Sequence, residues 1–240
     1  MTALIFPQEP HRRASRRLRS WWGRAFWRAV EEIAYDETQL LHARALARSG
    51  RIGGVVVDIG RFAAGVAEDP GVWTITGTVP PLDEDGRAAF LEVVTGHADA
   101  LLSGELPHDL VEHAEEAGVE LVPYGVELGA TCSCPHWQRA SRHGDVCEHV
   151  IGVLVQVTDL LDQDPLVLLQ LRGIGREELT ARRASEPGPA PHRRDRVAEE
   201  VEIAADAALR AALLLAEADA SEEEDPREAF GMDPPSGAVE

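Results

Sequence analysis

All three cysteines of this 240-residue chain fall within sixteen positions. Cys132-Ser133-Cys134 is followed, after twelve residues, by Cys147-Glu148-His149. Three thiols and one imidazole are the donor set of a closed tetrahedral zinc site. The spacing makes Cys132, Cys134, Cys147 and His149 the candidate ligands of one zinc ion. Competing readings exist. Buried free cysteine is common in protein cores. A disulfide with one thiol left over is a second alternative, although Cys132 and Cys134 are too close for a relaxed bridge. A catalytic Cys147 with His149 as its base is a third, and it leaves Cys132 and Cys134 without a role.

Ligand geometry constrains the local fold. On a helix, positions i and i+2 lie roughly 200° apart, so Cys132 and Cys134 belong at a strand end or in a knuckle. Cys147 is expected in a loop and His149 in the first turn of a helix. Asp145 and Glu148 have the spacing of a capping box, which would start that helix about two residues earlier. The ligand geometry is the stronger constraint. His136 and His143 lie inside the loop and are alternatives to His149, without its paired spacing.

The pattern C-x-C-x12-C-x-H, with Pro135 and Trp137 after the second ligand, resembles the SWIM zinc finger. That family occurs in bacterial proteins, in partners of Swi/Snf-type ATPases and in plant Mutator-type transposases. The resemblance implies a β-hairpin-plus-helix finger, ligands at Cys132, Cys134, Cys147 and His149, and a role in binding DNA or protein. Position 148 is often basic in relatives and is Glu148 here, which argues against phosphate contact by the finger. The runs Trp21–Phe26 and Ala45–Ile52 also resemble bacterial members, extending the resemblance over about residues 20–183.

Charge narrows the partner classes. The formal net charge is -19, and all 23 basic residues are arginine. Seven arginines stand against Glu9 in residues 1–28, whereas residues 195–240 hold fourteen acids and three arginines. A negative field opposes non-specific nucleic-acid binding unless the basic part is segregated. No apolar stretch approaches a membrane span or the core of a secretory signal. Clustered cysteines fit a reducing compartment, so a cytoplasmic location is expected.

Along the chain, residues 1–19 are Pro- and Arg-rich and read as a disordered basic arm. Arg12, Arg13, Arg16, Arg17 and Arg19 are its candidate nucleic-acid contacts. Residues 20–118 read as an α+β region. Ser20 caps a helix with Trp21, Trp22, Phe26, Trp27, Val30 and Ile33 near helical spacing, and a second helix runs from Glu37 to Arg48. Three tryptophans in seven residues suit a base-stacking platform, but at this period they more often form core. Residues 51–82 alternate and read as three antiparallel strands. Two helices follow, one from Asp83 to Leu102 and one opened by Pro107 and ended at Gly118.

Residues 119–183 form the finger and its helices. A strand, a turn at Pro123–Gly125 and a second strand lead to Cys134. An apolar helix runs from His149 to Gln163. Asp164-Pro165 opens the next, and a short helix spans Arg176 to Arg183. Residues 184–194 read as a linker, 195–220 as an amphipathic helix, and 221–240 as a disordered acidic tail. The expected class is α+β: a small antiparallel meander plus helices, a zinc-stabilised hairpin/helix finger, and a helical C-terminal part.

No Walker loop, G-x-S-x-G or paired-carboxylate pattern is found, and a four-ligand site leaves no open position for metal-bound water. The expectation is a non-enzymatic zinc adaptor with a protein partner, by the resemblance a Swi/Snf-type helicase-like ATPase, with DNA as a further contact. No membrane and no small-molecule substrate are expected. The alternative is a nucleic-acid-binding module using the Arg-rich arm and the finger.

Overall fold

Alternating Val, Ile, Phe and Ala from residue 55 to 78 build a sheet with one apolar face. Strands β2 (Val55–Asp58), β3 (Arg61–Glu68) and β4 (Gly71–Thr78) form the expected antiparallel meander. Val55, Val57, Phe62, Ala64, Val66 and Ile75 are buried on one face. Thr74, Thr76 and Thr78 of β4 are exposed. The structure is a computed structural model and describes residues 2–141, 145–185 and Arg210. The fold class is the α+β one expected from the sequence.

Two further strands complete the sheet, in the order β1-β2-β3-β4-β5, all antiparallel. Strand β1 (Leu4–Phe6) pairs with β2, Ile5 opposite Val56. This corrects the disordered arm expected over residues 1–19. Three residues are too few to show a period, and the pairing is to a strand about fifty residues away. Arg12 N–H also donates to Arg48 O at 2.8 Å, and Gln8 Nε2 to Gly50 O at 2.6 Å. Strand β5 (Gly129–Cys132) pairs with β4.

Helices α1 (Trp21–Ile33) and α2 (Glu37–Arg48) lie between β1 and β2 in sequence, at the expected boundaries. Ser20 Oγ accepts from Gly23 N–H and itself donates to Asp162, a residue of the helix that α1 packs against. Trp22 and Phe26 are core, as read; Trp27 is half-buried at the surface. The helix expected from Asp83 to Leu102 divides into α3 (Glu84–Val93) and α4 (Ala98–Leu102). Gly96, at φ 89, takes a left-handed conformation that interrupts the run. Helix α5 (His108–Glu116) ends at Gly118, also left-handed at φ 79.

The strand expected before Pro123 is absent: 119–124 is irregular, followed by a 3-10 turn at Gly125–Glu127. Buried Val119 and Leu121 meet the core from a loop rather than from a ladder. After β5 come the short α6 (Trp137–Ala140), then α7 (Glu148–Gln163), α8 (Pro165–Leu171) and α9 (Arg176–Ser185). Ala184 and Ser185, read as linker, close α9. The remaining linker, the 195–220 helix and the 221–240 tail lie outside the described residues, Arg210 excepted.

Helix α7 is the centre of the unit Met1–Glu186. Every residue from Val150 to Leu161 is buried, on all sides of the helix. It packs against α1, α2, α8, β4 and β5. Eight of those residues are Val, Ile or Leu, each stabilising by about 1.5–3 kcal/mol on full burial. Residues Met1–Glu186 form one compact unit, so the regions read as 20–118 and 119–183 share a core.

Candidate metal centre

Cys132 is the last residue of β5, opposite Ile75 of β4. Pairing continues one residue further: Ser133 N–H donates to Thr74 O at 3.0 Å, and Thr74 N–H donates to Ser133 Oγ at 2.9 Å. The chain then turns at Pro135 into α6, and Trp137 N–H donates to Cys134 Sγ at 3.2 Å. Cys132 and Cys134 are therefore presented from a strand end and a knuckle, as an i, i+2 pair requires. Cys147 is the N-cap of α7, with extended backbone (φ -86, ψ 161), and His149 lies in the first helical turn. The helix begins at Glu148, so the Asp145–Glu148 capping box is not used.

The four donor atoms all lie within 4.8 Å of one another. Cys132 Sγ is 3.9 Å from His149 Nδ1. Around a tetrahedral ion with bonds of about 2.0–2.3 Å, donors stand roughly 3.4–3.8 Å apart. The set thus fits a metal ion with an adjustment of about 1 Å. All three cysteines are unbridged and buried. His136 is exposed and outside the cluster, whereas His149 is part of it. His143 lies outside the described residues.

One residue of the site carried no signal in the sequence. His149 Nε2 lies 2.7 Å from Glu68 Oε2, at the end of β3. Trp73 Nε1 also donates to Glu68 Oε2 at 3.2 Å, and Arg51 pairs with Oε1 at 3.5 Å. With Nδ1 turned toward the sulfurs, Nε2 holds the proton and donates it to the carboxylate. This is the arrangement that fixes the tautomer of a metal-binding imidazole. Burial raises the pKa of Glu68, but the hydrogen bonds from His149 and Trp73 outweigh it and hold the carboxyl below its ordinary range. A lone glutamate at a strand end, eighty-one positions before the histidine, has no spacing that would reveal it.

The free ligands share their protons. Cys132 is held down to about 4, chiefly by the hydrogen bond from the Cys147 thiol, with burial opposing and His149 assisting. Cys147 is pushed up because its proton is held by Cys132 and because it is buried. His149 rises to about 9, first through Cys132, against burial, with Cys134 and Glu68 adding. A thiolate beside an imidazolium is a ready cation site, since an entering metal displaces the protons.

The arginines read as nucleic-acid contacts are placed differently from one another. Arg12 Nη2 pairs with Asp159 Oδ2 at 2.9 Å and with Glu9 at 3.1 Å, and Arg16 pairs with Glu9 at 3.0 Å. Arg19 N–H donates to Asp162 at 2.8 Å. The side chains of Arg13, Arg17 and Arg19 are exposed. No described helix is long and apolar enough to cross a membrane.

Comparison with known proteins agrees with this geometry. The SWIM zinc finger family matches residues 118–157. The uncharacterized protein Rv2102 of Mycobacterium tuberculosis (strain ATCC 25618 / H37Rv) is 28% identical over 191 residues, covering 75% of this chain and 66% of that protein, just under two thirds of its length. No solved structure matches. Cys132 and Cys134, leaving the sheet, and Cys147 and His149, opening α7, lie within the segment, residues 118–157, that is similar to the SWIM zinc finger.

Proposed function

We propose that the site binds one structural zinc ion and that the protein is a non-enzymatic adaptor whose finger presents a surface to a protein partner. The observation that carries this is the closed donor set: three buried sulfurs and one nitrogen converge with no oxygen donor among them. Such a set suits zinc and leaves no position for substrate or reactive water. The ion ties the sheet edge to the first turn of α7, and the exposed Pro135, His136, Gln138 and Arg139 are carried on that tie. A Swi/Snf-type helicase-like ATPase is the partner class to which the family resemblance points.

Charge supports a protein rather than a nucleic acid as the direct contact of the finger. Glu148 is exposed beside the site and pairs with His42 at 3.0 Å, where a phosphate would be repelled. Elemental analysis should give one zinc per chain, lost on Cys134→Ser. Affinity capture from cells, with and without nuclease, should retain an ATPase in both arms. Loss of every partner after nuclease, with zinc intact, overturns the adaptor and favours the nucleic-acid module.

A further inference from the structure

An acidic chain has no general reason to gather arginine, yet six of its arginines line one cavity of about 440 Å³. Arg12, Arg16 and Arg17 enter from the N-terminal segment, Arg24 from α1, and Arg44 and Arg48 from α2. The floor is Val155, Thr158 and Asp159 of α7, and Asp159 is the one carboxylate in the lining. We propose that this cavity binds a phosphorylated ligand of nucleotide size, either a free mononucleotide or the phosphorylated end of a nucleic-acid strand.

Three observations carry the proposal. First, the positive charge of the lining exceeds what the described residues neutralise. Asp159 and Glu9 answer Arg12 and Arg16, while Glu31 reaches Arg44 only at 3.9 Å. The Arg17 and Arg48 guanidinium groups form no ion pair or hydrogen bond with any described residue. Second, Arg12 is held in place by Asp159 at 2.9 Å and Glu9 at 3.1 Å while it lines the cavity. Phosphate oxygens are the acceptors that planar guanidinium forks match best. Third, the enclosure is of the right scale for a small ligand. Arg44 is fixed over the Trp27 ring at 4.5 Å, so at least one fork is pre-positioned by stacking.

The proposal is independent of the metal reading, because no residue lining the cavity is a metal ligand. The test is calorimetric titration of the full-length, zinc-loaded protein with pyrophosphate, with ADP, and with one oligonucleotide carrying a 5′-phosphate or a 5′-hydroxyl. Arg17→Glu and Arg48→Glu remove guanidinium groups that have no partner among the described residues. Each is expected to weaken pyrophosphate binding at least tenfold with zinc content unchanged, whereas Arg139→Glu, outside the cavity, leaves it intact. Preference for ADP assigns the free nucleotide. Preference for the 5′-phosphorylated over the 5′-hydroxyl strand assigns the strand end. No heat from any probe at millimolar concentration, or equal affinity in wild type and both variants, overturns the proposal.

Discussion

At the scale of single residues, the metal centre depends on one side chain that does not touch the metal position. Glu68 accepts from His149 Nε2 at 2.7 Å and is itself oriented by Trp73 and Arg51. Carboxylates in this position typically tune metal affinity by about 10–100-fold. Glu68→Gln keeps the size and an acceptor oxygen but loses the charge, so zinc affinity should fall by about tenfold while the zinc-loaded fold persists. Competition with a chromophoric chelator measures this. Affinity equal to wild type would reduce Glu68 to a surface contact.

At the scale of elements, the sheet is set by close packing at one glycine. Phe62 of β3 lies opposite Gly77 of β4, and a Cβ on Gly77 would fall 1.9 Å from Phe62 Cζ. The ring occupies the space that a side chain would need. Gly77→Ala forces a buried aromatic off its position, and overpacking of this kind costs about 1–3 kcal/mol. Chemical denaturation should show that loss, and a change near zero would mean the β3–β4 pair can shift freely. A similar constraint acts between helices: a Cβ on Gly152 of α7 would lie 2.7 Å from Leu46 of α2. These close approaches let α7 sit at the centre with α2 and the sheet both against it.

At the scale of the whole molecule, the metal site joins parts that are distant in the chain. Sequence alone suggests a local finger whose loss would spare the 51–82 sheet. In the fold, β5 pairs with β4, and Glu68 of β3 holds His149. Removing the proposed metal should therefore release β5 and the start of α7, and loosen the adjoining ends of β3 and β4. Closing the loop between Cys134 and Cys147 without the ion costs entropy with little local burial to offset it. Hydrogen exchange with and without a strong chelator should show lost protection across 128–150 and at β4, with β1 and β2 unchanged. Unchanged protection across 128–150 after verified metal removal would rule out a structural role.

The sequence by itself determined whatever rests on near neighbours. The four ligands are legible because their spacing matches the coordination chemistry. Ser20, Asp83 and Asp164 mark helix starts because a cap is a contact within a few residues. The apolar run after His149 marks a core helix because Val150, Val153, Leu154, Val157 and Leu161 recur at core spacing; the burial of Gln156, Thr158 and Asp159 on its other side was not legible. Tertiary structure alone decided the rest. Strand β1 exists because β2 offers it a ladder, and the segment before Pro123 is irregular, its Val119 and Leu121 buried from a loop. Glu68 becomes part of the metal site, and six arginines from three separate segments line one cavity. Each of these depends on which distant surfaces meet when α7 is buried. Backbone pairing and charge clustering between remote segments leave no periodic trace in either partner, so only the assembled core reveals them.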